Sequence, residues 1–194
     1  MRRVKGASGH VALPGLEERC PSPMRLLIAF SAATASFVAG LAAGLAAPAE
    51  GYLEALRRIL GSEGPRWFTV KTMVSIFLHN LSVALLVYAL SIIIVGLALV
   101  AFNGYIVGTV VVAALHRGLS LSQVAAALIP HGVVELPAVL LASALGLQAH
   151  GALRGKPGLI AETARRLWVV VVLLAVAAAI ETYVTPAIAA GVAS

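Results

Sequence analysis

Charge is what this chain has least of. Charged residues make up 11% of its 194 positions, aspartate is absent, and all eight acidic residues are glutamate. A soluble domain carries roughly 25% charged residues to coat its surface, so a chain built as one or two soluble domains is excluded. Cysteine is nearly absent too: Cys20 stands alone, which rules out a disulfide within the chain. No apolar segment precedes it, as a lipoprotein cleavage site would require, and it reads as a free thiol. The alternating pattern of strands is missing, as are Gly-x-Ser-x-Gly, a Walker A loop and a dinucleotide fingerprint behind a strand. These absences argue against an enzyme, and no catalytic residue is assigned.

What is present is apolar. Hydrophobic residues form 60% of the chain, and its mean hydropathy is +0.98. The 14 Lys and Arg residues border apolar runs, so they read as determinants of membrane topology and not as a nucleic-acid surface. One all-α, polytopic membrane domain over residues 24–194 accounts for this composition, with lipid as its first partner.

Residues 1–23 are polar and read as a disordered cytoplasmic tail; Met24, directly before the helix pattern, is a second candidate start. Residues 26–47 form the first span, closed by Pro48, and the lack of a small-residue cleavage site marks it as retained. Residues 49–60 place Leu53, Leu56 and Leu60 at helical spacing among charged residues, a short amphipathic helix. Phe68 to Leu115 is too long for one crossing, since ~20 residues suffice. Asn103-Gly104 supplies turn-forming residues, so the break is expected there. That gives a second span over 72–102 and a short or re-entrant third over 105–117.

The fourth span is 121–147, with a break or kink expected at Pro130-His131-Gly132 and a further proline at Pro137. A basic loop, His150 to Arg166, leads to the fifth span, 167–190, which carries Glu181 and Pro186. With five crossings, nine basic residues (Arg2, Arg3, Lys5, Arg19, Arg25, Arg154, Lys156, Arg165 and Arg166) share the amino-terminal side. Five (Arg57, Arg58, Arg66, Lys71 and Arg117) lie opposite. The positive-inside rule then puts the amino terminus in the cytoplasm.

Chemistry concentrates in Pro130-His131-Gly132-Val133-Val134-Glu135. Ionisable groups within a span are costly and mark a functional site by default, and His131 and Glu135 share one helix face at a spacing of four. Glu181, Asn103, Asn80 and His79 are the other polar groups in apolar runs. A shared interior cluster would satisfy them together, although His79 also fits an interfacial position. The pair could relay protons, bind a cation, grip a polar group or simply lock two helices. A zinc-protease helix needs His-Glu-x-x-His, which is missing, so no cofactor is expected and a metal at His131 and Glu135 is the lesser alternative. The stripes Gly40-x-x-x-Gly44 and Gly104-x-x-x-Gly108 permit close helix packing, within one chain or across a homodimer.

Phe77-Leu78-His79-Asn80-Leu81, Asn103-Gly104 with Gly108, Pro130 through Ala138, and Ile180-Glu181-x-x-Val184-Thr185-Pro186 occur in that order. Together they resemble the stage II sporulation protein M (SpoIIM-like) membrane family over roughly Leu26 to Ala190. The resemblance implies about five helical spans. It also implies a part in envelope machinery, since the namesake of spore-forming bacteria helps localise peptidoglycan hydrolases during engulfment. Sporulation itself is not implied. The expected function is a non-enzymatic membrane organiser or docking scaffold with a buried His/Glu centre, a homo-oligomer (a dimer before larger assemblies) whose further candidate partners are membrane or envelope proteins. The alternative is a channel or transporter for a small ion or solute using the same centre, since interrupted helices near the midplane point to transport.

Overall fold

The computed structural model describes residues 23–47 and 69–193. The expected tail, apart from Pro23, and the amphipathic helix over 49–60 lie outside the described residues. Among those described, the structure is helical without strands, and five helices are long and apolar enough to cross a membrane. The all-α, multi-pass reading therefore stands.

Helix α1 spans Pro23–Leu45, with proline in the first turn, where a missing N–H is harmless. Helix α2, Val70–Ile92, is capped by Thr69, whose hydroxyl accepts from the Thr72 amide at 3.2 Å. Helix α3 is Gly96–His116. It ends in a Schellman turn: Gly118, at φ +87°, donates to Leu115 and Leu119 donates to Ala114. Helix α4, Leu121–Ala149, opens with a Ser120–Gln123 capping box. A 3-10 turn over His150–Arg154 and the left-handed Gly155 lead into α5, Gly158–Ala179. A π-turn, Ile180–Val184, joins α5 to α6, Thr185–Ala193, and this stretch forms the last apolar span, Gly158–Val192.

The helix breaks differ from those expected. Helix α3 runs unbroken through Asn103 and Gly104, and the turn falls at Ile93–Val95, with Ile94 at φ 70°. The second apolar helix is consequently shorter than 72–102, and the third, at 21 residues, is long enough to cross a membrane in full. Gly96 explains the position of the turn: a Cβ there would run into Val87 and Ser91 of α2. Gly104 serves a different purpose, bringing α3 against the backbone of Phe37 and Leu41. Helix α4 likewise continues through Pro130, Gly132 and Pro137. Each proline forfeits one backbone donor, whereas unwinding the helix in an apolar layer would strand several backbone groups. Pro186 does mark an irregularity, directly after the π-turn. It lacks the N–H that would reach the Thr182 carbonyl, and a widened turn relieves the clash of its ring.

Helix α4 is central, packing against α1, α2, α3, α5 and α6, while α1 packs most extensively on α3. Small residues set the spacing: Ala84, Ala138 and Ala142 surround Tyr88, Leu145, Val170 and Leu174 between α2, α4 and α5. Ala33, Val87, Val100, Val139 and Leu140 join α1 through α4. Two polar pairs inside this core bridge helices, Ser91 with Ser143 at 3.0 Å and Tyr88 with Thr163 at 2.9 Å. Large apolar side chains point outward instead, among them Ile28, Leu86, Val133 and Val172. That inversion is what a lipid solvent permits.

Candidate polar centre

Glu135 stands at the midpoint of α4, fourteen residues from either end, and His131 one turn nearer the Leu121 end. At ~1.5 Å per residue His131 is about 15 Å along the helix from that end. Glu181 precedes the close of the last span, Val192, by eleven residues, about 16 Å by the same rise. The two helix ends lie on the same side of the bundle, because α4 and α5 are consecutive antiparallel crossings. Depth alone therefore brings an acid of the last span level with the His–Glu pair of α4.

The side chains complete the meeting. One ligand-type atom each from His131, Glu135 and Glu181 lies within 4.8 Å of the others, and all three residues are half-buried. Thr185 joins from the first turn of α6, its hydroxyl 3.4 Å from His131 Nδ1, and is itself buried. The π-turn carries Glu181, so a local departure from α-helical pitch helps to set where that carboxylate points. Such turns recur at functional sites. Two carboxylates and an imidazole in this arrangement can share a proton, hold a cation, or bond two helices together.

Of the six polar residues expected to gather, three do so. His79 is exposed on α2 and lies outside the cluster. Asn80 and Asn103 are half-buried on α2 and α3. Thr185 received no role from the sequence, although it sits in the Ile180–Pro186 motif; a hydroxyl in an apolar run beside a proline was the available signal. The π-turn had none apart from Pro186.

The glycine stripes are engaged within the chain. A Cβ on Gly40 would meet Ala101, one on Gly44 would meet Tyr105, and one on Gly108 would meet Leu41 and Leu45. Helices α1 and α3 thus approach backbone to backbone along two interleaved ladders, and the stripe is not free to serve as a dimer seam.

The model of one protein family, stage II sporulation protein M (SpoIIM), matches residues 27–186. The chain belongs to the SpoIIM family. No curated protein and no solved structure matches it. The match covers every described helix in whole or part, so the polar centre of this SpoIIM protein falls wholly within the family region, from His131 to Thr185.

Proposed function

We propose that this SpoIIM protein is a non-enzymatic organiser of the membrane, a scaffold on which other membrane or envelope proteins dock. In this reading the His131–Glu135–Glu181 centre is the joint that fixes α4 against α5 and α6. The observation that carries it is the meeting of charged-type side chains from two helices at mid-depth, backed by a threonine hydroxyl. Each group alone would be costly in hydrocarbon, and gathered within 4.8 Å they can share a proton or a bound cation in place of water. The protein works as a homo-oligomer, a dimer before any larger assembly. Its amino terminus faces the cytoplasm.

The π-turn at Glu181 favours one second reading, a channel or transporter for a small ion that uses the same centre. One experiment separates the two. Wild-type protein, Glu135→Gln, Glu135→Leu and His131→Ala are melted in one detergent and assayed for ion flux in vesicles. A joint predicts that Glu135→Gln keeps much of the stability while Glu135→Leu loses it, with no flux in any form. A pathway predicts wild-type flux that Glu135→Gln abolishes without loss of fold. Equal melting and no flux in all four would remove both readings.

A further inference from the structure

We propose that the centre binds one first-row divalent transition-metal ion, represented experimentally by Zn2+, through His131, Glu135 and Glu181. The three donors come from two helices yet converge within 4.8 Å. Around a tetrahedral Zn2+ ion, with His and carboxylate bonds of ~2.0–2.2 Å, neighbouring ligand atoms lie about 3.4 Å apart. Side-chain rotation is the movement that would close that difference on binding, and three protein ligands leave a fourth position for water.

Charge balance strengthens the assignment. Two carboxylates and a neutral imidazole around a divalent ion form a complex of zero net charge, the state least penalised in a low-dielectric span. The donor set also selects among metals. An imidazole nitrogen disfavours Mg2+ and Ca2+, which take oxygen ligands, and the lack of thiolate or thioether disfavours Cu(I). Thr185 supplies the outer support that metal-binding histidines have: with its hydroxyl at Nδ1 of His131, Nε2 is the ring nitrogen left to ligate. The i, i+4 spacing of His131 and Glu135 puts two ligands on one face of α4, and the π-turn presents the third from across the helix pair.

The proposal rests on the reading of this centre as the joint between α4 and α5, and its test distinguishes the two. Full-length protein in detergent is stripped with a chelator, dialysed against Zn2+ and assayed for bound metal and melting temperature. Wild type is expected to retain about one ion per chain, the number three convergent donors hold. Glu181→Gln and His131→Ala should bind at least ~10-fold more weakly, while His79→Ala, outside the cluster, binds as wild type. Should a variant lose its helicity, wild-type protein loaded with Co2+ decides: visible d–d absorption that Zn2+ displaces supports the site, and its absence overturns it. Wild-type uptake no higher than that of a folded Glu181→Gln variant overturns the metal, even where Glu135→Leu still destabilises the joint. Stoichiometric uptake with unchanged melting supports the metal and removes the joint.

Discussion

His131 reaches Thr185 through a long hydrogen bond of 3.4 Å, while the carboxylates of Glu135 and Glu181 come from α4 and the π-turn and meet within 4.8 Å. These contacts differ in what their loss leaves behind. Thr185→Val keeps shape and removes one neutral bond, a net cost of about 0.5–1.5 kcal/mol. Glu135→Leu strands the polar partners it leaves in an apolar layer, about 1–3 kcal/mol. Melting in one detergent should therefore rank Glu135→Leu below Thr185→Val, and Thr185→Val below wild type. A Thr185→Val variant as damaged as Glu135→Leu would mean that the hydroxyl, and not the carboxylate, holds the centre. The His131–Glu135 half of this site was legible because a spacing of four fixes two side chains on one helix face. Glu181 could be suspected from its cost in lipid and from its place in the Ile180–Pro186 motif. Its partner depended on the depth at which α5 ends, which no local pattern encodes.

Gly104 and Gly132 both lie in unbroken helix, but their surroundings differ. Asn103-Gly104 reads as a turn from composition, yet Gly104 lies buried inside α3, where the Phe37 carbonyl occupies the space a side chain would need. The true turn, Ile93–Val95, consists of β-branched residues with no turn chemistry of their own, and only Gly96 betrays it. Tertiary packing of α1 on α3 overrides the local signal. Gly104→Leu should consequently separate these helices, with an overpacking cost of about 1–3 kcal/mol or more. Gly132 is the contrasting case: it sits in unbroken helix with open space where its side chain would be. Gly132→Ala should raise stability by about 0.5–1 kcal/mol, the difference in helix propensity. Circular dichroism melts of both variants check the pair. A destabilised Gly132→Ala would restore the break expected at Pro130-His131-Gly132.

At the scale of the whole molecule, the number of crossings was legible while the positions of the breaks were not. Moving the second turn from Asn103 to Ile94 changes no charge balance, because Ile93–Val95 carries no Lys or Arg. The amino-terminal end of α1, the Ile93–Val95 turn and the His150–Pro157 connection fall on one side. The α3–α4 turn and the end of the last span fall on the other. The basic excess therefore stays on the first side, the one proposed to face the cytoplasm. This orientation is testable by cysteine accessibility in a Cys20→Ser background, since Cys20 is the only native thiol. Ser8→Cys and Ile94→Cys should be labelled from the cytoplasmic side, and Leu119→Cys and Ser194→Cys from the opposite one. Asn103→Cys, eight residues into α3, should resist reagent from both sides, because about 11 Å of helix separates it from the turn. Labelling of Asn103→Cys in place of Ile94→Cys would restore the original break and shorten the third span. Labelling of Ser8→Cys and Ser194→Cys from the same side would reject five crossings altogether. The polar centre needs less than five crossings: α4 and α5 have only to be consecutive antiparallel crossings for Glu181 to return to the depth of His131.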